Sequence, residues 1–119
     1  MAKIKKIYKG GVEYEIGGGA IPVVNHGTSD TGTQETAYEI APNVLHVWGT
    51  VELLNLSLGT GEAGVVNEYM FEFESGSTET SLSLPLTVLW QDTPDVEANM
   101  KYQVSIVNNI GLIVGVETV

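Results

Sequence analysis

The sequence predicts an all-β protein, an antiparallel β-sandwich of jelly-roll-like or immunoglobulin-like type with an N-terminal hairpin or extended arm. Apolar and polar residues alternate with a period of two in many short runs, which is typical of strands with one buried face. Helical periodicity is nearly absent, and glycine-rich breakers separate the runs. Such a rhythm is expected of two packed antiparallel sheets. No internal repeat of fixed period is visible, which argues against a solenoid or a propeller.

The alternating runs define about nine short strands, counting the first strand of the N-terminal hairpin. Tyr69, Phe71 and Phe73, for example, alternate with glutamates and a methionine, so the three rings are expected to share one face of a strand. The other runs lie at residues 12–16, 44–48, 51–58, 81–84, 86–90, 101–106 and 112–116. Turn-forming residues such as Asn108-Asn109 lie between them.

The basic residues are concentrated at the start of the chain. The first nine residues carry +4 and the remaining 110 carry −14, for a net charge of −10. The Gly17-Gly18-Gly19 triplet follows this basic segment and predicts a flexible break. We therefore expect an attachment arm at residues 1–19 and a β-sandwich module at residues 20–119. The residues expected to attach the arm to a partner are Lys3, Ile4, Lys5, Lys6, Ile7, Tyr8 and Lys9.

Residues 3–16 predict a hairpin, and two interpretations of it remain open. As a docking element, its apolar residues would contact a partner while its lysines face an acidic surface. As an ordinary edge hairpin, Lys5 or Lys9 would pair across the strands with Glu13 or Glu15. The turn of either hairpin is expected at the glycine pair that follows Lys9.

Length and composition limit the classes of function. A chain of 119 residues with 43% hydrophobic and 17% charged residues is expected to form one folded domain. It has no cysteine, so neither disulfides nor thiolate metal sites are expected. An acidic body repels nucleic acid, and no apolar run has the length of a membrane span or a signal peptide. Neither nucleic-acid binding nor membrane insertion is therefore expected.

The residues suited to catalysis are few, and no catalytic site is predicted. His26, Ser29 and Asp30 would form a triad only on paper, because all three lie in the polar segment 25–36, which offers no rigid support. That segment is long for a loop, so it is expected to be mobile or ordered by a partner. His46 lies in a probable strand and is expected to be a core or interface histidine.

Oxygen-rich segments predict no metal and no cofactor. Residues 92–99 contain three carboxylates and an asparagine, but they lack the glycine and the spacing of a calcium-binding EF-hand loop. Glu68, Glu72 and Glu74 lie at alternate positions opposite aromatic residues, so a solvated strand face is expected instead of a glycosidase carboxylate pair. The glycines of residues 59–64 have no lysine with which to bind phosphate.

Three aromatic residues make carbohydrate binding an alternative function. Tyr38, Trp48 and Trp90 have rings that would stack on sugars if they faced solvent, and each also suits a core or an interface.

Three segments of the chain resemble parts of known proteins. LSLPLTVLWQDTPDVEANMKYQVSIVNN is similar to small β-rich modules in virion proteins of tailed bacteriophages, especially phages of gut bacteria. The matching features are Leu84-Pro85, a strand ending in Trp90, Pro94, Glu97-Ala98-Asn99 and the strand from Tyr102 to Val107. The middle segment PNVLHVWGTVELLNLSLGTGEAGVVNEYMFEFESG is similar to the first part of the same module, so the likeness covers about residues 40–110. The start, KIKKIYKGGVEYEIGG, resembles the leading segment of phage proteins that attach to a larger virion body.

The resemblance implies a non-enzymatic structural component of a virion, made in the host cytoplasm. It would be a head-fibre, capsid-decoration or tail-associated protein that docks on a capsid or tail protein through its N-terminal segment. The β-module would self-associate, as a trimer by analogy with such appendages. A carbohydrate-binding module that adheres to the host surface is the alternative.

Overall fold

The structure is a computed structural model that describes residues 6–9, 12–15 and 21–118, and every regular element in these ranges is a β-strand. The strands are β1 (Lys6–Lys9), β2 (Val12–Glu15), β3 (Val23–Gly27), β4 (Tyr38–Ile40), β5 (Leu45–Thr50), β6 (Leu53–Leu58), β7 (Glu68–Glu74), β8 (Ser81–Ser83), β9 (Leu89–Trp90), β10 (Met100–Val107) and β11 (Ile110–Glu117). The all-β prediction is thus confirmed.

The antiparallel sandwich prediction is wrong, because the sheets form a parallel β-solenoid of about four turns. From β3 to β9, successive strands alternate between two sheets, one ordered β3-β5-β7-β10-β11-β9 and the other β4-β6-β8. Each of the pairs β3–β5, β5–β7, β4–β6 and β6–β8 is parallel. Period-two alternation specifies one buried face per strand, which is equally compatible with parallel and antiparallel neighbours.

The coils of the solenoid differ in length, which explains why no repeat of fixed period is visible. Leu45 pairs with Val23, 22 residues earlier, and Met70 pairs with Leu45 after 25 residues. In the smaller sheet the offset is 18 residues from Tyr38 to Leu56. Corners and loops of unequal length therefore separate strands that stack in register. A solenoid needs stacking coils, and a constant sequence period is only its commonest signature.

The last part of the larger sheet is antiparallel. β10 pairs antiparallel with β7 and then turns back through Asn108 and Asn109 into β11. Both asparagines have positive φ, 51° and 63°, as the central residues of a tight two-residue hairpin require. β9 pairs parallel with β11, but only at Ile110 and Gly111.

The core lies between the two sheets. Its largest buried side chains include Trp48, Phe71 and Phe73 from the larger sheet and Leu54 and Leu56 from the smaller one. The alternation that predicted Phe71 and Phe73 on one strand face is confirmed, since both are buried and their rings stack at 6.1 Å. Burial of these apolar side chains supplies the main stabilisation of the fold.

β1 and β2 form a two-stranded antiparallel sheet of their own, which agrees with the predicted hairpin. Their register puts Lys6 opposite Glu15 and Lys9 opposite Val12, so Lys9 has no carboxylate directly across from it. Lys3, Ile4 and Lys5, the glycine turn and the glycine triplet lie outside the described residues.

Candidate functional sites: a buried histidine pair and an exposed sheet face

The two histidines of the chain meet inside the solenoid. His26 lies on β3 and His46 on β5, the parallel strand beside it, and His26 Nε2 is 3.0 Å from His46 Nδ1. At the outer ends of this pair, His26 Nδ1 is 3.0 Å from Asp30 Oδ2 and His46 Nε2 is 3.1 Å from the carbonyl oxygen of Ala41. Because successive coils stack, two residues that are distant in the sequence join one continuous series of hydrogen bonds.

The partners of the two rings constrain their tautomers. A carboxylate oxygen and a carbonyl oxygen only accept hydrogen bonds, so these contacts are made by N–H groups at His26 Nδ1 and at His46 Nε2. In the contact between the rings, one of His26 Nε2 and His46 Nδ1 donates and the other accepts.

The surroundings of His46 oppose a positive charge on its ring. Burial lowers the pKa of His46 below its ordinary value of 6.5, the hydrogen bond to Ala41 raises this pKa, and the nearby charge of His26 lowers it. The net direction is downward. A proton added to Nδ1 of His46 would also remove the acceptor of the central hydrogen bond, which favours the neutral form of His46.

Aromatic rings enclose the histidine pair. The Trp48 ring stacks on His26 at 4.3 Å, and Tyr38 meets His26 edge to face at 5.4 Å. Trp48 Nε1 donates a hydrogen bond of 2.7 Å to the carbonyl oxygen of Ser29. Stacked aromatic rings attract each other in addition to the apolar surface that they bury. The cluster therefore holds the loop around Ser29 and Asp30 against the larger sheet.

The structure brings together only two members of the triad considered from the sequence. His26 and Asp30 are hydrogen-bonded, but the second ring nitrogen of His26 contacts His46, and Ser29 takes part through its carbonyl oxygen. The His26 side chain is 3% exposed, which leaves little room for a substrate. The geometry suits a structural cluster that holds this loop in place better than it suits a nucleophilic site.

The polar segment 25–36 is ordered by its own chain. The backbone N–H of Asn55 donates to Thr31 at 2.9 Å, and the Asn55 side-chain amide donates to Thr33 at 2.7 Å, which fixes the segment on β6. Gly32 has φ +74°, and a Cβ there would lie 2.4 Å from the carbonyl oxygen of Asn55. Only glycine fits this position without displacing the loop.

The aromatics considered for sugar binding do not share one surface. Trp48 is 1% exposed, and the half-buried Tyr38 packs against it, so Trp48 has no free face for a sugar. Trp90 lies on β9 in the larger sheet, where it lines an open cleft of about 380 Å³ with Pro85 and Pro94. A carbohydrate site, if present, would therefore depend on Trp90 alone among the three.

The outward surface of the larger sheet, called here the outer face, is acidic at its centre. Glu68, Glu72 and Glu74 lie on β7 as predicted, away from the buried Phe71 and Phe73. On the neighbouring β10, the Lys101 amine is 3.4 Å from the Glu72 carboxylate, and Gln103 and Ser105 donate to Glu72 and Glu68. These contacts give Glu68 and Glu72 partners within the sheet.

Beside this acidic centre runs a row of exposed aliphatic side chains, called here the β11 stripe. They alternate along β11, except for one member on β9, and between 51% and 66% of each is exposed: Leu89, Ile110, Leu112, Val114 and Val116. The alternation of Leu112, Val114 and Val116 was predicted, but not that they face outward. The outward direction of these side chains could have been predicted from Gly111 and Gly115. These glycines lie on the opposite face of β11, where Trp90 and Tyr102 pack directly over them.

The acidic segment 92–99 serves the fold through its backbone. The N–H of Glu97 donates to the Tyr102 hydroxyl at 2.7 Å, and that hydroxyl reaches the carbonyl oxygen of Asp95 at 3.4 Å. Within the described ranges, no group of three or more histidine or acidic residues is arranged to hold a metal ion. The same ranges contain no helix long and apolar enough to cross a membrane.

Comparison with known proteins gives no relative for this fold or for these sites. A scan of protein-family models, a search of curated proteins and a search of solved structures each found no match. The function must therefore be argued from the chain itself.

Proposed function

We propose that this protein is a non-enzymatic structural component of a bacteriophage virion, a head-fibre or capsid-decoration protein. Its N-terminal segment attaches to a capsid or tail protein, and its β-module projects from the particle and associates with further copies. The resemblance of residues 40–110 to virion β-modules suggests the particle. The charge separation between the two parts of the chain suggests how the protein attaches to it.

The observation that carries the proposal is the hairpin with its separate sheet. β1 and β2 pair with each other, and neither pairs with a described strand of the solenoid. β1 belongs to the basic first nine residues and β2 adds Glu13 and Glu15, so residues 1–16 carry +2, whereas the rest of the chain, which includes the solenoid, carries −12. A basic hairpin that is not part of the solenoid sheets is suited to an acidic docking surface on another protein.

The test exchanges charges and measures particle binding. In one variant Lys3, Lys5, Lys6 and Lys9 become glutamine, and in the matched control Lys101, the remaining lysine, becomes glutamine. We expect the first variant to keep its β-sheet circular dichroism and to lose at least tenfold in affinity for purified particles, while Lys101→Gln binds normally. Deletion of residues 1–19 should have the same effect as the fourfold variant.

Equal binding by the fourfold variant and the wild type would contradict the proposed attachment. Unfolding of the deletion variant would instead indicate that the hairpin is part of the core. Absence of the protein from purified virions would overturn the virion assignment itself.

Carbohydrate binding is the second candidate function, and the cleft beside Trp90 favours it. The cleft combines the Trp90 ring with the hydroxyls of Ser83 and Thr93, a combination of flat apolar surface and hydroxyl groups that suits sugars. Trp90→Ala should abolish any signal on a glycan array. A signal that survives Trp90→Ala would exclude this cleft as the binding site.

A further inference from the structure

β11 presents an open edge along most of its length. β10 pairs with all of β11, but β9 covers only Ile110 and Gly111 on the other side. In the two-residue hairpin Val107 and Ile110 form a hydrogen-bonded pair, so the even-numbered residues of β11 direct their backbone groups toward β10. The odd-numbered residues direct theirs outward.

Two hydrogen bonds are consistent with this alternation in the direction of the backbone groups along β11. The N–H of Gln91 donates to the carbonyl oxygen of Gly111 at 3.0 Å, on the outward side. The N–H of Thr118 donates to Asn99 at 3.1 Å, on the side of β10. Ile113, Gly115 and Glu117 therefore direct their backbone groups to an edge that no other described strand occupies. Such a row of donors and acceptors accepts an added strand.

This edge lacks the features that protect edge strands from pairing. β11 contains no proline and no lysine, and its register with β10 runs without a bulge from Ile110 to Glu117. The β11 stripe adds apolar surface directly beside the open backbone groups. An exposed, regular and apolar edge strand is the kind that associates with another chain.

The charge-free surroundings of this edge allow a second copy of this chain to be the occupant. Two chains of net charge −10 repel each other, so they approach only where the local charge is low. From Tyr102 to Val116 the sequence has no charged residue. In a two-fold antiparallel pairing, the β11 stripes of both copies would lie side by side on one continuous outer face, where each stripe shields part of the other from water.

We propose that two copies of this protein associate through antiparallel pairing of their β11 strands, which joins their larger sheets into one. With Gly115 opposite Gly115 of the second copy, the unpaired backbone N–H and carbonyl groups of Ile113 face those of Glu117 in the second copy. The inference deepens the self-association in the proposed function and names its surface. A two-fold dimer then replaces the trimer that the resemblance implies.

The test compares two double valine-to-lysine variants of equal charge. Val114→Lys/Val116→Lys places two lysines in the stripe, and the matched control is Val65→Lys/Val66→Lys, where the valines are 54% and 71% exposed outside any strand. Sedimentation equilibrium measures the mass of the full chain at low and high salt. Hydrogen exchange at two protein concentrations reports on the amides of Ile113, Gly115 and Glu117.

We expect the wild type to have about twice the 12.7 kDa chain mass, with tighter association at high salt because screening weakens the repulsion between acidic chains. Val114→Lys/Val116→Lys should weaken dimerisation at least tenfold, and the control should dimerise as well as the wild type or better. In the wild type the three amides should gain protection as concentration rises.

A monomeric wild type at all salt concentrations would overturn the proposal. So would a trimer, or a stripe variant that dimerises normally. If the stripe variant unfolds, hydrogen exchange of the wild type remains as the test. Exchange rates of the three amides that do not change with protein concentration would refute pairing at this edge. None of these outcomes depends on the particle-binding assay, so failure of the dimer is distinguishable from failure of the proposed attachment.

Discussion

Acidification below pH 6.5 should destabilise the fold through His46. The pKa of His46 is lowered in the folded state, first by burial, so the unfolded chain binds a proton there more readily than the folded chain does. Between the folded pKa and 6.5, unfolding therefore takes up a proton, and the free energy of unfolding decreases as the pH falls. The contribution is fully present above 6.5.

The size of this effect follows from linkage and from the environment of the ring. One proton taken up on unfolding corresponds to a slope of at most about 1.4 kcal/mol per pH unit. The slope applies only between the folded pKa of His46 and 6.5, and it levels off below the folded pKa. In a domain of this size it corresponds to a fall in Tm of at most about 5 °C per pH unit within that interval.

The assay is chemical denaturation between pH 7.5 and pH 5.5, above the range in which most carboxylates titrate. His46→Gln serves as the comparison, because glutamine keeps an amide donor for the Ala41 carbonyl but does not titrate. The variant should be about 1–2 kcal/mol less stable at pH 7.5, since it disturbs the hydrogen bond with His26. The difference in stability between wild type and variant should shrink as the pH falls.

Nuclear magnetic resonance gives an independent measurement, because the chain has only two histidines and hence two imidazole spin systems. The His46 signal should titrate below 6.5. Titration at or above 6.5, or a wild-type stability that rises on acidification relative to His46→Gln, would refute the reasoning.

Two further predictions concern packing. Thr80 Oγ1 donates a hydrogen bond to the carbonyl oxygen of Val51 at 2.6 Å and contacts buried Ser75. Thr80→Val should therefore lower the free energy of unfolding by about 2 kcal/mol and Tm by about 8 °C in thermal denaturation. Thr78→Val, at an exposed site, is the control and should change Tm little. A Cβ on Gly115 would lie 2.6 Å from Tyr102, so Gly115→Ala should destabilise by about 1–3 kcal/mol in urea. Gly49→Ala is the control, since its nearest contact is 3.8 Å away, and equal effects of the two alanines would contradict this account.

The sequence allowed the strands and their buried faces to be predicted, but not how the strands pair. Phe71 and Phe73 were assigned to one face because alternation is a local property of the chain. Whether β7 pairs parallel with β5 depends on the lengths of the intervening corners, which carry no local signal. The histidine pair was missed for the same reason, since His26 and His46 meet only after one coil is stacked on another.

The two ends of the solenoid stack explain where the candidate sites occur. A parallel stack must end in edge strands, and each end needs its own means of satisfying backbone and core groups. At the β3 end, the segment around Ser29 and Asp30 folds over the core and is held there by His26 and Trp48. At the other end, the antiparallel β10–β11 hairpin continues the larger sheet by two strands, and β9 covers β11 only at Ile110 and Gly111, which leaves the rest of β11 as an open edge. The contacts of His26 and Trp48 hold this segment within the chain at the β3 end, whereas most of β11 pairs on one side only beside an apolar stripe, which is why we expect association there.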